Sequence, residues 1–116
     1  MKSMYFVDYC VGIVTEEWFG YYNKVVEEND NCIEYPECDT EFCSVPFKSF
    51  DKAKSFVDML VRMMEERCKN NETDIVARIE GVHIDNGTTQ NKDRSILLID
   101  SDKVFLALWY GTRILY

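Results

Sequence analysis

Residues 104–110 read VFLALWY, seven apolar side chains in a row, directly after the turn sequence Asp100-Ser101-Asp102-Lys103. A short apolar run bounded by a turn reads as a strand, and successive side chains of a strand point to opposite faces. Both faces of this strand are therefore apolar. Such a strand has to lie within a sheet and be covered twice, by helices on one side and by a further layer on the other.

Two segments supply helices. Trp18, Phe19, Tyr21, Tyr22, Val25 and Val26 project into one arc of about 160° at 100° per residue. Glu16, Glu17, Gly20, Asn23, Lys24, Glu27 and Glu28 fill the opposite arc. Thr15 suits the N-cap, and Glu16 and Glu17 suit the positive end of the dipole. This pattern predicts a helix over 16–28, against the strand propensity of its aromatic residues. A longer helix is predicted from Phe50 to Lys69, with Ser49 as N-cap and Asn70 or Asn71 as the stop. Ala53, Phe56, Val57, Leu60, Met63, Met64 and Cys68 form its apolar face. Lys54–Asp58, Asp58–Arg62 and Arg62–Glu66 are opposite charges at i,i+4 spacing on its polar face.

The remaining segments read as strands. Tyr5 to Val14 alternates strictly, with Tyr5, Val7, Tyr9, Val11 and Ile13 on one face. Residues 32–47 suggest two short strands, Ile33 to Pro36 and Glu41 to Phe47, which Pro36 and Pro46 confine to edges or bulges. Asp74 to Asp85 is a strand whose apolar phase changes, with Gly81 as the expected bulge. Ser95 to Asp100 and Lys103 to Tyr116 form a hairpin. The expected fold is one α+β domain, residues 1–116: an antiparallel or mixed sheet of four to six strands with two helices on one face. The element order suggests a ferredoxin-like βαββαβ arrangement plus a C-terminal hairpin. Because the two helices cover only one face, a homodimer through this sheet or its edge is the simplest cover for the other, with the loop 86–94 or the segment 32–47 as alternatives.

Composition fits one globular domain, with 116 residues, 47% of them hydrophobic. No apolar run is long enough for a membrane helix, and the N-terminus lacks the pattern of a signal peptide, so a cytoplasmic location is expected. Five cysteines, Cys10, Cys32, Cys38, Cys43 and Cys68, are an odd number and read as reduced thiols. Their spacing lacks the short gaps of structural zinc sites, and the acidic run lacks a calcium-loop pattern. Neither a metal nor a cofactor is expected. No nucleophile-elbow, P-loop or dinucleotide fingerprint occurs, so no catalytic residues are assigned. Asp100 and Asp102 read as local turn chemistry. The aromatic group on the first helix reads as core, and the one histidine, His83, as a sheet-face residue.

Charge is the strongest functional feature. The net charge is −8, yet residues 25–47 hold seven acids, Glu27, Glu28, Asp30, Glu34, Glu37, Asp39 and Glu41, with no Lys or Arg. From Lys48 onward, bases and acids balance at 11 each. A basic stripe is absent, which disfavours direct binding to nucleic acid or an anionic membrane and favours a basic protein as partner. The expected function is a small acidic protein-binding module. In its sharpest form this is an inhibitor of the kind phages and mobile elements encode, occupying a basic nucleic-acid groove of a host defence protein as a nucleic-acid mimic. Two alternatives stand beside it: a solvated loop that aids solubility, and a ligand-binding or enzymatic α+β domain built on the aromatic helix and His83. Exposed carboxylates on a convex rim would favour the first reading, a concave pocket with a buried polar group the last.

Overall fold

The computed structural model describes residues 2–29, 36, 42–84 and 92–115. In chain order the elements are β1 (Lys2–Ile13), α1 (Glu16–Glu27), β2 (Cys43–Phe47), α2 (Phe50–Asn70), β3 (Ile75–Ile84), β4 (Lys92–Asp100) and β5 (Val104–Leu115). The strands form one sheet in the order β2-β1-β5-β4-β3, and every neighbouring pair is antiparallel. The α+β expectation holds, with five strands and two helices among the described residues. Thr15 and Ser49 cap the helices as expected, their hydroxyls accepting from Trp18 N–H and Lys52 N–H.

The position of β5 departs from the expected layout. The C-terminal hairpin is not an appendage to a ferredoxin-like core; β5 is the central strand, between β1 and β4. Residues 104–110 are apolar on both faces because this strand has a neighbour on each side and a helix above and below. Of the two strands expected between the helices, the second appears as β2; the first falls on residues mostly outside the described set. β2 is an edge strand, which tolerates Pro46.

The two helices lie on opposite faces, not on one. On the first face, Ala53, Val57, Val61, Met64 and Cys68 of α2 pack on Ile96, Leu98, Leu106, Leu108, Tyr110 and Val7. On the second, Tyr22 and Val25 of α1 pack on Leu97, Ile99, Phe105, Ala107, Ala77, Ile79 and Cys10. The alternation along Ile96 to Ile99 and Phe105 to Leu108 shares these residues between the helices, one to each side. Each fully buried leucine contributes about 1.5–3 kcal/mol of apolar burial. The further layer that VFLALWY requires is thus α1.

Neither helix covers a whole face. Five strands span about 19 Å, while a helix with its side chains is about 10–12 Å wide. α2 lies over β1, β5 and β2, and α1 lies over β3 on the other side. Among the described residues the first face is left open over β3 beyond Ile75 and over the neighbouring part of β4, where Arg78, Glu80 and Arg94 are on α2's side of the sheet.

Two details of packing differ from the sequence reading. On α2 the buried stripe includes Val61 and leaves Met63 58% exposed, because the seam at 53, 57, 61, 64 and 68 faces the sheet more directly. On β3 the register shift lies between Ile75 and Ala77, whereas Gly81 pairs regularly with Ser95. The shift turns Ile75 toward α2 while Ala77 and Ile79 face α1.

Candidate functional site

Among the described residues, the part of this face between α2 and β3 forms a cleft of about 700 Å³. One wall is α2, through Lys54, Asp58, Val61 and Arg62; the floor and far wall come from Arg78, Glu80 and Gly81 of β3, Arg94, Ser95 and Ile96 of β4, and Tyr110 of β5. Lys54, Asp58 and Arg62 are spaced by four residues, so they form one row along the helix. Arg94 lies directly opposite Tyr110 across the β4–β5 pair, and Glu80 opposite Ile96 across β3–β4.

The lining holds four cations and two carboxylates, a positive pocket in a chain of net charge −8. The cations fall into two kinds. Lys54 donates to Asp58 at 2.8 Å. Arg78 pairs with Glu80 at 3.0 Å and with Glu65 at 3.7 Å. Arg62 and Arg94 make no ion pair or hydrogen bond among the described residues; Arg62 closes on neither Asp58 nor Glu66. Lys54 holds its proton more tightly than an ordinary lysine. The hydrogen bond to Asp58 is the main cause, partly opposed by burial and aided by the fields of Tyr110, Asp58 and Glu80.

Tyr110 supplies the buried polar group. It is only 4% exposed and belongs to the apolar cluster under α2, with its ring 6.3 Å from that of Phe50. Its hydroxyl makes no hydrogen bond among the described residues, although a buried phenol normally has a partner.

A second charged group, outside the cleft, is structural. Asp100 is 0% exposed at the end of β4. Its Oδ1 accepts from Asp102 N–H at 2.8 Å and Val104 N–H at 3.0 Å, the local turn bonding expected from the sequence. Its Oδ2 accepts from Arg67 at 2.8 Å and meets the Cys68 thiol at 3.9 Å. The turn of the β4–β5 hairpin is thereby tied to the last turn of α2. Sequence spacing gives no sign of this link, because the partners lie 33 and 32 positions apart.

The residues singled out from sequence are distributed as follows. Glu27 and Glu28 are exposed at the C-terminal end of α1. Asp30, Glu34, Glu37, Asp39 and Glu41 lie outside the described residues, as do Cys32 and Cys38. Cys10 and Cys68 are buried and Cys43 is exposed, and among the described residues none of the three is in a disulfide. Among the described residues no group of three His, Cys, Asp or Glu side chains is placed to hold a metal ion, and no helix is long and apolar enough to cross a membrane. Tyr22 is fully buried and stacks with Trp18 at 5.7 Å, so the aromatic face of α1 packs on the sheet. The backbone of His83 pairs with Asp93 in the β3–β4 ladder. No family model, no curated protein and no solved structure matches this chain.

Proposed function

We propose that the chain is a small acidic protein-binding module, with a contact surface that starts on the solvent side of α1 and continues along the sequence to Glu41. One observation carries this reading: seven of the eight net negative charges arise from residues 25–47, which contain no Lys or Arg. The described part of the surface supports it. Glu16, Glu17 and Glu27 on α1 and Glu28 at its C-cap are exposed, Glu16 and Glu28 in surface pairs with Lys103 and Lys24, and the apolar side of the helix is turned to the sheet. A helix packed on a sheet presents a convex outer face, which suits insertion into a groove.

A groove that binds nucleic acid is lined by Lys and Arg and selects regular negative charge. A row of carboxylates competes for such a groove without being read as sequence. In its sharpest form the protein is therefore an inhibitor, of phage or mobile-element type, that acts on a nucleic-acid-binding protein of the host. Binding led by charge gains on-rate from steering and loses it as salt rises.

The test is a paired capture at low salt, with the native chain and a Glu37→Lys/Asp39→Lys/Glu41→Lys variant as baits. A basic protein retained by the native chain, released by salt, displaced by excess nucleic acid and lost with the variant is the expected result. A captured partner held equally well by the variant, or indifferent to salt, would place the contact elsewhere.

A further inference from the structure

We propose that the cleft between α2 and the β3–β4 edge is a binding site for a small organic oxyanion, a phosphate- or carboxylate-bearing molecule with an apolar body. It is independent of the acidic surface, lies on the opposite face of the sheet from α1, and takes a ligand of opposite charge preference.

Three observations converge. The first is charge. Lys54 and Arg78 are engaged by carboxylates, while Arg62 on the helix wall and Arg94 on the sheet wall are without ion pairs among the described residues. Two uncommitted guanidiniums facing one cleft offer planar, multidentate donors that match phosphate and carboxylate oxygens.

The second is the Tyr110 hydroxyl. It is nine-tenths buried, lines the cleft and has no protein partner among the described residues. A buried hydroxyl without a partner costs free energy that a ligand acceptor would recover. Tyr110 also stands directly opposite Arg94 on one face of the sheet, so the phenol and a guanidinium address the same region.

The third is shape. A cleft of about 700 Å³ suits a small organic molecule. Val61 and Ile96 provide apolar wall and floor beside the charged groups. Inorganic phosphate alone would leave these surfaces unused, so the ligand has an apolar part as well as an acidic head.

The test uses phenyl phosphate and benzoate as probes, with phenol as the uncharged control, each titrated into the full chain and followed by amide chemical shifts. Saturable binding of either anion, with shifts centred on Arg62, Arg94, Ile96 and Tyr110 and none with phenol, is expected. The Arg62→Gln/Arg94→Gln double variant should weaken binding by about tenfold or more, as loss of charge-assisted hydrogen bonds does. Tyr110→Phe keeps the ring and should weaken it by about two- to tenfold. Arg62 and Arg94 are exposed, so these changes should leave the amide spectrum of the fold intact. Shifts that do not saturate, that scatter over surface lysines, or that persist unchanged in the double variant would overturn the proposal.

Discussion

Two ion pairs of nearly equal length lie on the β3–β4 part of the sheet, one at the last turn of α2 and one in the cleft. Arg67 meets Asp100 at 2.8 Å, and Arg78 meets Glu80 at 3.0 Å. In the first the carboxylate is fully buried and also accepts from two backbone N–H groups. In the second both side chains are more than half exposed, and the guanidinium is shared with Glu65. Distance does not distinguish them; solvent does. A buried carboxylate cannot exchange its protein donors for water, so its pair fixes the hairpin turn against the helix. An exposed pair is in constant exchange with water and contributes little to stability, which leaves its cation free to respond to a ligand.

The sharpest way to break this contrast is to remove the buried acid. Asp100→Ala should destabilise the fold by about 3–5 kcal/mol, since a buried pair loses one member and two N–H groups lose their acceptor. Urea denaturation measures it. A loss under about 1 kcal/mol would mean that water reaches the turn. Removing the other partner should cost less. Arg67→Ala leaves Asp100 its backbone donors, and Arg67 is itself 43% exposed, so about 1–3 kcal/mol is expected from the same melts.

On the cleft side the effects should be small. Glu80→Ala should change stability by under about 1 kcal/mol. By releasing Arg78 from its nearest carboxylate it should tighten phenyl phosphate binding, so one variant separates stability from ligand affinity. A loss of stability as large as that of Asp100→Ala would erase the distinction between the two pairs.

The smallest effect is a pH dependence. The Lys54–Asp58 pair raises the folded-state pKa of Lys54 above the ordinary lysine value, chiefly through the hydrogen bond. A raised folded pKa gives stability that is complete below the unfolded value and is lost as pH rises through the folded one. Asp58→Asn should therefore cost a few tenths of a kcal/mol at pH 8, as exposed i,i+4 pairs do, and the difference from the native chain should fade above that pKa. A difference that persists at high pH would assign the effect to helix propensity instead.

The contrast also shows what the sequence could reveal. Helix α1 was readable because Trp18 to Val26 and Glu16 to Glu28 separate into two clean arcs, and the N-caps because Thr15 and Ser49 precede them. The lining of the cleft was not readable. Lys54, Arg62, Arg78 and Arg94 each look like ordinary surface charge in their own segments, since periodicity reports which face a residue occupies and not what stands opposite. Tyr110 looked like one more apolar residue of VFLALWY, because its hydroxyl counts as polar only once its surroundings are known.

By itself the sequence determined the two helices with most of their buried stripes, the strands outside residues 32–41, the need for cover on both sides of residues 104–110 and the concentration of acid between 25 and 47. Local periodicity and charge are properties of the chain alone. Only the tertiary structure decided that β5 is central, that α1 and α2 take opposite faces, that Asp100 is locked to Arg67, and that α2 leaves a charged cleft beside it. Those outcomes depend on contacts between segments far apart in sequence. Several packings satisfy the same apolar pattern, and the choice among them follows from which one covers both faces of the central strand with two helices each too narrow for a whole face.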